Sequence, residues 1–171
     1  MPYPEALVKP MREELTRLGV EELLDPEAVD RAIEESRGGT MLAIINSVCG
    51  CAAANARPAI ALAMRTPIQP DRYVTVFAGQ DLEATQRLRE HLPGIPPSSP
   101  FFALLKNGEP VYVIERRHIE GRSAGAIATD LAQAFSRYCG TDETTNGEPE
   151  RPHVEEPVMN GDLPGTFRSI L

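Results

Sequence analysis

The chain has 171 residues, 42% of them apolar, with 25 acidic and 17 basic side chains and a formal net charge of −8. That length suffices for one domain with a real core, no apolar run approaches the ~20 residues of a membrane span, and no basic stripe suggests nucleic acid. The amino terminus, Met1-Pro-Tyr-Pro-Glu-Ala6, lacks the basic-then-apolar pattern of a signal peptide, so neither a membrane partner nor export is expected and a cytoplasmic location is. Three cysteines in that compartment argue for redox or metal chemistry rather than a disulfide framework.

Residues 5–18 set Leu7, Met11, Leu15 and Leu18 at helical spacing between charges, an amphipathic helix that Gly19 ends. Asp25-Pro26 reads as an N-cap followed by proline at the first helical position. The helix from Pro26 to about Ser36 turns Val29 and Ile33 inward, and Gly38-Gly39 closes it. Gly39-Thr-Met-Leu-Ala-Ile-Ile45 is short, apolar and bounded by glycine, which predicts a buried strand running to Asn46.

Cys49-Gly50-Cys51 follows that strand and opens an alanine-rich helical pattern from Ala52 to Met64. Two thiols at a helix N-terminus meet unpaired N–H groups and a partial positive charge, which favour thiolate over thiol. Cys49, first in the chain, is expected to be the attacking thiolate, and Cys51 is close enough to attack a mixed disulfide formed on it. Gly50 is expected to permit unusual backbone angles in so tight a ring. Pro58 predicts a kink within the helix.

Thr66-Pro-Ile-Gln-Pro70 is a loop, and Tyr73-Val-Thr-Val-Phe77 a strand. Asp81 reads as the N-cap of a helix to about Leu92, and residues 93–100, rich in proline, as a loop. Phe101–Leu105 and Val111–Ile114 are two strands joined through Lys106-Asn107-Gly108, a strong hairpin signal. The last helix, Ser123 to Tyr138, turns Ile127, Leu131, Ala134 and Phe135 inward and ends at Cys139-Gly140. Beyond it, seven acidic residues accompany only Arg151 and Arg168 in a stretch of Thr, Asn, Glu, Gly and Pro. The expected organisation is a domain over 1–140 and an acidic, disordered tail over 141–171.

The element order, the Cys-bearing helix and the segment Pro100-Phe-Phe-Ala-Leu-Leu-Lys-Asn-Gly108 resemble the thioredoxin fold. That resemblance implies an α/β fold: a thioredoxin-like central mixed sheet flanked by helices, here with extra N-terminal helices. A narrower resemblance lies in Asn46-Ser-Val-Cys-Gly-Cys-Ala-Ala53, Ala56-Arg-Pro-Ala59, Val76-Phe-Ala-Gly-Gln-Asp81, Pro97-Ser-Ser-Pro100 and Arg117-His-Ile-Glu-Gly121. Together these look like the bacilliredoxin family, thioredoxin-like proteins with a Cys-Gly-Cys motif, over roughly residues 5–139.

The family implies removal of bacillithiol from mixed disulfides on client proteins, with Cys49 attacking and Cys51 resolving. It implies no bound cofactor, bacillithiol as co-substrate, and a low-molecular-weight thiol as reductant. It also implies that Pro100 is a cis-proline facing the cysteines, leaving the backbone of Ser99 free to pair with an extended substrate. Arg57, two turns past Cys51, could meet carboxylates of bacillithiol, although a solvated helix arginine is the plainer reading. Arg117 and His118 are further candidates for substrate contact. The buried aspartate of thioredoxin, six residues before the first cysteine, is Ala43 here, which removes that proton relay. Two other functions fit the same motif: a metal or iron–sulfur module using Cys49, Cys51 and Cys139 across subunits, and a weak protein disulfide isomerase.

Overall fold

The computed structural model describes residues 2–140, so the expected acidic tail, 141–171, lies outside the described residues. The elements are α1 (Glu5–Thr16), β1 (Glu21–Glu22), α2 (Pro26–Glu35), β2 (Thr40–Asn46), a π-helical turn (Ala52–Ala56) continuing into α3 (Arg57–Ala63), and β3 (Arg72–Phe77). They continue with α4 (Leu82–Glu90), β4 (Phe101–Lys106), β5 (Glu109–Ile114), a 3-10 turn (Arg116–His118) and α5 (Ala124–Tyr138).

The sheet runs β1-β3-β2-β4-β5, with β1, β3 and β2 parallel and β4 and β5 antiparallel. β2 is buried along its whole length, as a continuous apolar run in a central strand must be. Its alternate side chains feed two cores. Leu42 and Ile44 pack with Ile60 of α3 and Ile127, Leu131 and Phe135 of α5. Met41, Ala43 and Ile45 pack with Val29 and Ile33 of α2 and Ala84 and Leu88 of α4. Helices therefore cover both faces of a mixed sheet, and the fold is thioredoxin-like.

Several local expectations hold for the reasons given. Asp25 accepts the N–H of Ala28 at 2.7 Å and caps α2, and Ser123 caps α5 through the N–H of Ala126 at 3.1 Å. Asn107 and Gly108 both take positive φ, 55° and 78°, in the tight turn between β4 and β5. Where Pro58 predicts a kink, the structure has a change of helix type. The N–H of Arg57 reaches back five residues to the carbonyl of Ala52, so the proline enters just where a wide turn gives way to ordinary helix.

Other expectations need correction. β1 is two glutamates long, too short and too charged to read as a strand, and it places α2 within the sheet-bearing fold. Only α1 is then extra at the amino end. In α1 the buried residues are Val8 and Leu15, whereas Leu7 is 49% and Leu18 38% exposed. The helix is turned by Arg12, whose guanidinium lies over the ring of Phe77 and donates to both carboxylate oxygens of Asp81 at 2.7 and 3.0 Å. Asp81 consequently makes no side-chain cap for α4 and instead ties α1 to the start of that helix.

Register fixes where the loops meet. Ile45 of β2 pairs with Phe101 of β4, Asn46 with Phe77, and Phe102 with Ile114 of β5. The segments 47–51, 99–100 and 115–120 therefore leave the sheet at one end.

Candidate active site

Asn46 closes β2 and organises the turn that follows. Its Oδ1 accepts the N–H of Ser47 at 2.9 Å and Nη1 of Arg57 at 3.0 Å, while its amide donates to the carbonyl of Met11 at 3.2 Å. Nη1 of Arg57 also donates to the carbonyl of Ser47 at 3.0 Å, and its Nε donates to Glu14. Arg57 is only 4% exposed. It is neither a solvated helix residue nor a surface contact, because its fixed fork of donors has acceptors waiting on β2, the turn and α1. α1 and α3 thus clamp the strand end from which the cysteines project.

The sulfurs of Cys49 and Cys51 lie 2.7 Å apart, and the hydroxyl of Ser47 lies 3.1 Å from the sulfur of Cys49. Both cysteines are free and half-buried. The two sulfurs are therefore close enough for Cys51 to displace a thiolate from a mixed disulfide carried on Cys49. Gly50 between them has no positive φ, and open space surrounds the place a Cβ would take. The expectation of unusual backbone angles there is corrected: an ordinary helical start already brings the two sulfurs together.

The two thiols are shifted in opposite directions. Burial pushes Cys49 up, but hydrogen bonds from Cys51, Ser47 and the N–H of Ala52, with the charge of Arg116, outweigh it and leave its pKa below the ordinary thiol value. Cys51 is pushed up to about 11 by burial, by the hydrogen bond it gives to Cys49 and by the charge there, with Glu120 adding to the rise and Arg116 opposing it. Of the two sulfurs, Cys49 is therefore the one that loses its proton more easily. The N–H of Ala52 is a donor at the helix start that the sequence suggested, and Ser47, Cys51 and Arg116 add to it.

The Ser99–Pro100 peptide bond is cis. Ser99 is half-buried, and its carbonyl accepts a long 3.4 Å contact from Nη1 of Arg116, so it is not wholly free. The Nε of Arg116 bonds Glu120 at 2.7 Å, and its backbone N–H reaches the hydroxyl of Ser98 at 3.3 Å. Arg116 and Glu120 are thus the charges felt at the thiols, and both were missed in the sequence. A 3-10 turn has three residues per turn, so Arg116, Arg117 and His118 point in three directions. Arg116 serves the thiols, Arg117 turns back to Glu115 at 3.0 Å, and His118 points inward at 3% exposure, with its Nδ1 accepting the N–H of Glu115 at 3.4 Å. His118 is placed to stabilise the turn rather than to meet a visiting molecule.

Cys139 lies elsewhere. Its thiol is pushed up by burial and bonds Thr40, at the start of β2. Six residue rises of about 3.3 Å, about 20 Å of strand, separate that end of β2 from Asn46, so Cys139 and the thiol pair sit at opposite ends of β2. Among the described residues no three His, Cys, Asp or Glu side chains converge as metal ligands do.

A family model described as "Disulphide isomerase" matches residues 3–139. A bacilliredoxin of Salinibacter ruber is 61% identical over 172 residues and covers 99% of both chains. A bacilliredoxin of Koribacter versatilis is 50% identical over 81% of this chain and 94% of its own, and one of Bacillus cereus 52% identical over 80% and 95%. The X-ray structure of Fasciola hepatica thioredoxin overlays at a TM-score of 0.48 and 17% identity, covering 70% of this chain and 99% of that one; the strand order above, not this overlay, carries the fold. With this likeness along its length and two sulfurs poised for exchange, the chain belongs to the bacilliredoxin family and is a thiol–disulfide oxidoreductase.

Proposed function

We propose that the protein strips bacillithiol from mixed disulfides on client proteins, with Cys49 attacking and Cys51 resolving. The thiolate of Cys49 attacks the bacillithiol sulfur. A Cys49–bacillithiol disulfide forms and the client leaves as its thiolate. Cys51 then loses its proton to solvent and attacks Cys49, closing the Cys49–Cys51 disulfide and releasing bacillithiol thiolate. Alternatively, a second low-molecular-weight thiol attacks the bound bacillithiol sulfur, leaves as the mixed small-molecule disulfide and restores Cys49. Thiolate fraction and leaving-group acidity set these rates.

The observation that carries this reading is the asymmetry of one pair: two sulfurs 2.7 Å apart, with the pKa of Cys49 shifted down and that of Cys51 shifted up. A Cys51→Ala variant given a bacillithiolated protein should stop with bacillithiol on Cys49, seen as a mass adduct, and Cys49→Ala should be inactive. Full activity of Cys49→Ala would refute the role assignment. A second reading, disulfide isomerisation, is favoured by the matching family's description. Comparing rates on scrambled protein and on bacillithiolated protein decides between them.

A further inference from the structure

Arg116 lends its charge to the thiols, but the chemistry above gives its donor groups no ligand. Its Nε is held by Glu120 at 2.7 Å and its Nη1 leans on the carbonyl of Ser99 at 3.4 Å. Among the described residues Nη2 donates to no protein group, and the side chain is 46% exposed. The guanidinium is therefore pre-positioned beside the cis-proline loop with an unused donor edge facing solvent.

Arg116 also borders a groove of about 650 Å³ between the 94–98 loop and the segment after β5, lined by Ile95, Pro97, Val113, Arg116, Arg117 and Glu120. One side is apolar and the other charged. That volume suits a small molecule. The carboxylate of Glu120 already pairs with the guanidinium, which shows the kind of group this edge accepts. Planar guanidinium donors match carboxylates with two parallel bonds.

We propose that Arg116 is a specificity-determining residue, which binds the carboxylate of an anionic low-molecular-weight thiol while that thiol's sulfur is exchanged at Cys49. Glu120 competes with the incoming carboxylate for the same guanidinium, so it restrains Arg116 when the site is empty and weakens binding of the anion. The inference rests on the thiol-exchange reading above. It adds the residue that reads the charge of the small partner. In each exchange the thiolate of Cys49 attacks one sulfur of a small disulfide, forms the Cys49 mixed disulfide and releases the other half as a thiolate.

The test uses the full chain carrying Cys51→Ala, which stops after this first exchange. Rates of Cys49 modification are measured against dithiodiglycolate, which is anionic, and the disulfide of thiocholine, whose quaternary ammonium groups stay cationic, across pH to the plateau where Cys49 is fully thiolate. The plateau removes the influence of Arg116 on the thiolate fraction. The ratio of the two plateau rates, compared with the parent, removes the difference in leaving-group acidity.

Arg116→Gln should lower the anion-to-cation ratio by about five- to tenfold at low salt, with the effect shrinking at high salt. Arg116→Lys, which keeps the charge but not the two parallel bonds, should keep only part of the ratio, and Glu120→Gln should raise it. An unchanged ratio in Arg116→Gln, or equal loss toward both disulfides, overturns the proposal. If Cys49 of the parent reacts with neither disulfide, it is the thiol-exchange reading that fails.

Discussion

The hydroxyl of Ser47 lies 3.1 Å from the sulfur of Cys49, on a turn that Arg57 fixes from behind. A hydroxyl can donate to a thiolate, and this one favours the charged form. Ser47→Ala should raise the Cys49 pKa, moving the pH profile of thiol reactivity upward. At pH 7 the rate should fall by about two- to tenfold, the equivalent of a net hydrogen bond of about 0.5–1.5 kcal/mol. At alkaline pH, where Cys49 is thiolate in either protein, the two rates should converge. Iodoacetamide kinetics across pH measures this.

Arg57 should be needed for the fold as well as the site. Its removal leaves Asn46 Oδ1 and the carbonyl of Ser47 without a buried donor, and releases Glu14. Arg57→Ala should cost about 2–4 kcal/mol in denaturant unfolding and loosen the approach to Cys49. Arg57→Lys should recover little, since one ammonium cannot replace a fork that serves three acceptors.

Asp81 should behave as an ion-pair partner and not as a helix cap. Asp81→Asn keeps a good capping side chain but loses the charge that Arg12 grips. It should therefore lower stability by about 1–3 kcal/mol, and exchange of the amide hydrogens of α1 should quicken. A variant as stable as the parent would contradict the pairing.

Two substitutions should be nearly silent. Gly50→Ala meets open space in ordinary helical backbone, so unfolding of the reduced protein should shift by less than about 0.5 kcal/mol. Cys139→Ala should leave thiol exchange unchanged, because that sulfur sits at the far end of β2. A change in the rate of Cys49 modification in the Cys139 variant would contradict this placement.

The fold was legible wherever pattern and packing agree. The apolar run of β2, the Asn107-Gly108 turn and the stripe of Ile127, Leu131 and Phe135 each admit one arrangement. The sulfurs were legible because their spacing and position in the chain are themselves the signal. What escaped depended on contacts between distant residues. Nothing near Asp81 shows that Arg12 will take its carboxylate, and nothing near Arg57 shows that Glu14 and Asn46 will bury it. Arg116 escaped because a 3-10 turn divides three consecutive polar residues among three directions, and only the folded chain shows which faces the thiols. Ala43, in place of a buried acid, was read directly, and the structure leaves it in an apolar core.

The central claim is that one sulfur of the pair carries the charge and the other the proton. The direct measurement is cysteine-resolved alkylation of the reduced protein between pH 5 and 11, followed by mass spectrometry. Cys49 should be modified with a midpoint below the ordinary thiol value, while unmodified protein should keep Cys51 unreactive until the pH nears about 11. If both thiols titrate together at ordinary acidity, or Cys51 reacts first, the assignment of attacking and resolving sulfurs is wrong.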